Sequence, residues 1–222
     1  MFMFSTGYII LIVVSTVIGF GAQAYVNSQI KKYSNVPSSW GLTGVQAGQN
    51  MLAYNGVQGV PFHRGGESED HFDPRNNSIT LDPHAYSQPS ITAIATACHE
   101  VGHACQFAQG YGPMKFRSAL VPVVNFASNA WMIALLAGIF MNLAGLIDLA
   151  IILYAFAVLF QLVTLPVEFN ASHRAMQYLE AAGLPQGERA GAFSVLRACA
   201  LTYVAAALVS ALQLLWLIGQ RR

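Results

Sequence analysis

The stretch His99-Glu100-Val101-Gly102-His103 is where residue types and spacing prescribe a reaction. On a helix, His99 and His103 stand one turn apart and share a face. Two neutral imidazoles held that way can grip one Zn²⁺ ion from the same side. Glu100 follows His99 directly and points about a quarter-turn away, where it reaches water at the metal rather than the metal itself. That is the H-E-x-x-H arrangement, with the histidines as ligands and the glutamate as general base.

The element that must position these residues is legible around them. Ser87-Gln88-Pro89-Ser90 supplies helix-start signals, and Ile91 to Phe107 then runs without proline. Ile91, Ile94, Ala95, Cys98, Val101 and Cys105 fall near helical spacing. Gly102 weakens such a helix by about 1 kcal/mol relative to alanine, a loss that close approach of a neighbouring element would offset. Gly110, Gly112 and Pro113 end it. Cys98 and Cys105 lie about 10 Å apart along this helix, too far for a disulfide, and read as small buried hydrophobes.

Composition places the chain in a bilayer. It is 55% hydrophobic and 9% charged, against roughly 25% charged in a soluble domain. Mean hydropathy is +0.46. A net charge of +1 gives no reason to expect a nucleic-acid partner. Tyr8 to Val26 is apolar and uncharged, long enough for one span. Ala22-Gln23-Ala24 resembles a cleavage site, but the first seven residues lack a basic region, which favours an uncleaved anchor.

The polar segment that follows has its own punctuation. Thr43 should cap a helix from Val45 to Tyr54, closed by Asn55-Gly56. Val57 to Phe62 reads as a strand, His63 to Gly66 as a turn, and Glu67 to Asp70 as a solvated patch. Phe72 and Ile79 suggest a small antiparallel hairpin, with Ser78–Leu81 a candidate edge for an extended substrate. Ala119–Phe140 and Leu149–Val167 should span, joined by Met141–Asp148, with Pro122 in a first turn. Asn125 and Asn129 could bond a neighbouring helix. Ala198–Gly219 is a fourth span.

The expected fold is therefore mainly α: a four-span membrane protein with a small α+β zincin-like catalytic portion built from two same-side segments. The anchor is 1–26, the catalytic segment 27–118, the transmembrane hairpin 119–167, a second polar segment 168–197, and the last helix with its tail 198–222. Nine of the eleven basic residues lie in the two polar segments, and Arg221 and Arg222 lie opposite. Positive-inside bias then puts the catalytic side in the cytoplasm.

A catalytic zinc wants a third protein ligand and an open position. His63, His71, His84, His173 and Glu168 are the candidates, and the residues alone leave the choice open. Glu180 and Glu188 lie beside a helix end and a turn, where solvated charges are ordinary.

The stretches TACHEVGHACQ, HFDPRNNSITL and TLPVEFNASHRA together resemble the YugP-type neutral zinc metallopeptidases of bacterial membranes, and more distantly the HtpX and CAAX prenyl protease group. The resemblance covers nearly the whole chain. It implies a bacterial cytoplasmic-membrane protease with one Zn²⁺ per chain, His99, His103 and Glu168 as ligands, and Glu100 as base. The HtpX-like pattern has an aspartate four residues after the ligand glutamate. This chain has Ser172, which can orient a ligand histidine only by a weaker hydrogen bond. His71 could stabilise a transition state and Asp73 could bond a ligand, or the pair could be an Asp-Pro turn with a surface histidine. Arg75 and His173 read as structural or solvated.

The function so read is hydrolysis of peptide bonds in a peptide or protein substrate, membrane proteins included. The rival is a non-catalytic zinc-binding scaffold or transporter component in the bilayer. The scarcity of ionisable groups within the spans speaks against transport.

Overall fold

The structure, a computed structural model, describes residues 5–219. The Arg221-Arg222 pair lies outside the described residues. The chain is mostly helical: α1 (Thr6–Ser34), α2 (Gly44–Tyr54), β1 (Phe62–Arg64), β2 (His71–Asp73), β3 (Ser78–Leu81), α3 (Pro83–Ser87), α4 (Ile91–Ala108), α5 (Gly112–Phe140), α6 (Ala144–Ala181) and α7 (Gln186–Gly219). The helices α1, α5, α6 and α7 are each long and apolar enough to cross a membrane.

Two compact units divide the chain. The first takes the chain up to Gln23, Lys115–Leu165 and the chain from Thr202; the second takes Ala24–Met114 and Pro166–Leu201. The first unit is made of lengths of the four long helices. Its interior is small, centred on Tyr154, Val158 and Leu217, with the Trp131 and Tyr154 rings 4.7 Å apart. Phe20, Phe126 and Ile133 remain 74%, 68% and 69% exposed, surface that lipid rather than water would cover. Pro122 lies inside α5, not in its first turn, because the helix starts at Gly112. Asn129 bonds the Asn125 carbonyl of its own helix. The α5–α6 connection is only residues 141–143, so Asp148 falls inside α6.

The second unit is built around α4. Ser90 caps it, accepting from the Ala93 N–H at 3.1 Å, and Gly110 leaves it at φ +66°. Ile94, Cys98, Val101 and Cys105 are fully buried together with Met51 of α2, Ile79 and Leu81 of β3, Leu179 of α6 and Val195 of α7. Both α4 thiols are free, and burial pushes them above the usual range. A capping box holds the start of α2: Thr43 accepts from Gln46 N–H while the Gln46 side chain accepts from Thr43 N–H.

The sheet order is β1-β3-β2, with β1 parallel and β2 antiparallel to β3. This corrects two readings of the sequence. The first strand is Phe62–Arg64 rather than Val57–Phe62, because its Phe62 pairs with Ile79 and His63-Arg64 continue the ladder instead of turning. Ser78–Leu81 is the central strand, and the edge beside the hairpin is β2. The Ile79 N–H donates to Pro61 on the β1 side at 2.9 Å. Phe72, opposite Ile79, therefore directs its own N–H and C=O out of the sheet.

Candidate metal centre

The α4 helix places His99 and His103 with ring centroids 4.8 Å apart and planes at 86°. Glu168 comes from α6, 2% exposed between the fully buried Val167 and Ala171. One Glu168 oxygen, Oε2, lies 3.2 Å from His99 Nε2 and 3.4 Å from His103 Nε2. The close approach is made by Gly102: a Cβ there would sit 2.6 Å from the Ala171 carbonyl oxygen. The glycine that weakens α4 as a helix lets α6 lie directly on it.

Each imidazole is held from behind. Ser172 Oγ is 3.1 Å from His99 Nδ1, and Gln106 Oε1 is 3.1 Å from His103 Nδ1. Gln106 is fully buried, and its Nε2 donates to the Val167 carbonyl at 2.7 Å and to Asn170 Oδ1 at 3.0 Å. Those two bonds fix the amide orientation, so Oε1 faces His103 and Nδ1 must be the donor. The His103 Nε2 lone pair then faces a carboxylate oxygen. A cation or a proton must lie between them. Arg174 completes the chain, donating to Asn170 at 2.8 Å and to Gln109 at 2.7 Å.

The donor set fits zinc. Two imidazole nitrogens and a carboxylate oxygen make a three-ligand catalytic set that leaves a fourth position open. Ligands at ~2.0–2.1 Å in a tetrahedron lie about 3.3 Å from one another, the separation of Glu168 Oε2 from each Nε2.

Glu100 is 7% exposed on the same helix. Burial raises its carboxyl to about 7, opposed by His99 and by a hydrogen bond from the Phe72 amide of edge strand β2. The other sequence candidates lie elsewhere. His71 is exposed at the start of β2. Asp73 is held below the usual carboxylate range by Arg75, which donates from its backbone N–H, Nε and Nη2. His63, His84 and His173 join no metal-ligand group among the described residues. Glu188 is not a solvated charge: it accepts from Ser38 Oγ at 2.8 Å and from the Ser39 N–H at 3.1 Å, while Glu180 pairs with Arg189.

Sequence reasoning missed Gln106, Asn170 and Arg174. The signal was present for Gln106, three residues after His103 and so on the ligand face. Asn170 and Arg174 are one turn apart on α6, but nothing local said which helix they would meet.

Comparison with known proteins gives a consistent picture. A family described as "Putative neutral zinc metallopeptidase" matches residues 8–222. The chain is 44% identical over 210 residues to the "Putative membrane protease YugP" of Bacillus subtilis (strain 168), covering 94% of this chain and 93% of that protein. No solved structure matches.

Proposed function

The chain belongs to the family of neutral zinc metallopeptidases that matches it over residues 8–222, and on that premise we propose that it is a membrane-embedded zinc protease with Glu100 as general base. The observation that carries the reading is the buried His99–His103–Glu168 set with Glu100 buried beside it.

One zinc per chain would be held by Nε2 of His99, Nε2 of His103 and a Glu168 oxygen. When bound, it supplies Lewis acidity and lowers the pKa of a water toward ~7. Glu100 takes the proton of the attacking water, keeps it on its carboxylate and passes it to the leaving amine. Ser172 and Gln106 accept from the Nδ1–H of each imidazole and fix both rings in the tautomer that presents Nε2. The substrate chain lies extended along β2, where the outward Phe72 C=O offers strand addition beside Glu100. The catalytic side faces the cytoplasm, supported by the concentration of basic residues in the two polar segments.

The test uses Glu100→Gln in detergent-purified protein with casein as substrate. It should keep stoichiometric zinc, because the ligands are untouched, and lose at least ~10²-fold of a chelator-sensitive hydrolysis. Full zinc with near-normal turnover would sink the mechanism.

A further inference from the structure

Between α6 and α7, within the second unit, a cavity of about 370 Å³ opens beside the ligand set. Ser172, whose hydroxyl touches His99 Nδ1, is part of its wall. Phe169, next in the chain after the ligand Glu168, is another part.

Met176 from α6 with Phe193, Leu196 and Ala200 from α7 make most of the remaining wall apolar, and His173 joins it. Its volume falls in the range of ligand pockets rather than of packing defects. The cavity also carries a cation. Arg197 lines it, is exposed, and donates from Nη2 to the Tyr25 hydroxyl at 3.4 Å. Among the described residues no carboxylate is within ion-pair distance of it. A largely apolar chamber that reaches His99 through Ser172, with a guanidinium at its wall that no carboxylate meets among the described residues, fits a peptide side chain followed by an acid.

Resting on the peptidase reading, we propose that this cavity is the specificity pocket, receiving a large apolar side chain of the substrate residue next to the cleaved bond, while Arg197 takes a carboxylate of the same peptide.

The experiment is photo-cross-linking of the zinc-loaded Glu100→Gln full-length protein in detergent with short random-sequence peptides, each carrying one p-benzoylphenylalanine. Adducts should map to residues 169–176 and 193–200, with Met176 foremost. Ala200→Trp, which fills the cavity, should lower them at least tenfold at unchanged zinc loading. Phe193→Ala, at a half-exposed position that tolerates truncation, should lower them at least threefold and serves if the tryptophan variant does not fold. Arg197→Glu should switch the captured peptides from acidic to basic. Adducts elsewhere, or adducts indifferent to both Ala200→Trp and Phe193→Ala, overturn the proposal. So does protection of Met176 by phosphatidylglycerol but not by unlabelled phenylalanine peptides, which would make the cavity a lipid site. Adduct position does not depend on turnover. An inactive wild type with adducts in the cavity overturns the peptidase reading alone, and an active wild type with adducts elsewhere overturns the pocket alone.

Discussion

Replacing Gly102 by alanine adds one carbon at the contact that holds the metal ligands together. Its Cβ would stand 2.6 Å from the Ala171 carbonyl oxygen and 3.0 Å from Ala171 Cα, where ordinary contact begins at 3.4 Å. Both obstacles are α6 backbone, so no rotamer change relieves them. The helices must part by roughly 0.8 Å if the whole overlap is taken up by translation. Zinc sites tolerate only about ±0.2 Å in ligand distances. Alanine gains about 1 kcal/mol in helix propensity, and overpacking costs about 1–3 kcal/mol, so the clash wins. We expect a net loss of about 1 kcal/mol and a zinc affinity lowered at least ~10-fold. The assay is zinc competition against a chromophoric chelator in detergent, paired with thermal melts with and without zinc. Gly187→Ala is the control: it lies in α7, its added Cβ would meet nothing within 4 Å, and it should melt no lower than wild type. A Gly102→Ala protein with native zinc affinity and an equal or higher melting temperature would refute the argument.

Three other outcomes follow from the geometry. Burial raises the Asp70 carboxyl to about 6 from its usual 3.8, against the Asp82 N–H that bonds it. The folded state therefore holds this proton more tightly than the unfolded chain, and the stability it contributes is complete below about 3.8 and lost as pH rises through about 6. Asp70→Asn keeps an acceptor for Asp82 and should stabilise the protein at pH 8 by about 1–2 kcal/mol while leaving it little changed at pH 4; equal shifts at both pH values in denaturant titrations would contradict this. Glu188→Ala removes the acceptor of Ser38 and Ser39 and should cost about 1–3 kcal/mol in thermal melts without changing zinc affinity, so a parallel loss of zinc would contradict it. A cysteine introduced at Glu67 should react with an impermeant maleimide only after the membrane is permeabilised; reaction in intact cells reverses the orientation.

The sequence made the α4 face readable because a helix fixes neighbours three and four residues apart. Ser90 as cap, Gly102 as a point of close approach and Gly110 as terminus are local rules that tertiary packing left intact. The sheet was less legible. Three-residue strands carry almost no period, and the parallel pairing of β1 with β3 links residues 17 apart, so His63-Arg64 passed for a turn. Gly65 and Gly66 suggested that turn, yet the Gly65 N–H continues the ladder by donating to the Leu81 carbonyl at 2.7 Å. Glu188 looked solvated because its partners, Ser38 and Ser39, lie about 150 residues away in the chain. Gln106 was within reach of local reasoning, but its function depends on Val167 and Asn170, which only the fold brings to it.

Glu168 shows how the candidate metal site and the fold depend on each other. At 2% exposure, with Val167 and Ala171 fully buried on either side, its carboxylate cannot swing to water. A buried carboxylate without a partner is costly, and the partners within reach are two imidazole nitrogens. His103 has committed its Nδ1–H to Gln106, so it can meet Glu168 only as an imidazolium or through a shared cation. Metal-free, the site must take up protons to balance its charge; metal binding releases them. The carboxylate is thus preorganised by a helix rather than a loop, and the Gln106 bonds that orient His103 also tie α4 to α6. The carboxylate that meets both imidazoles and the contact that closes the fold are made by the same pair of helices.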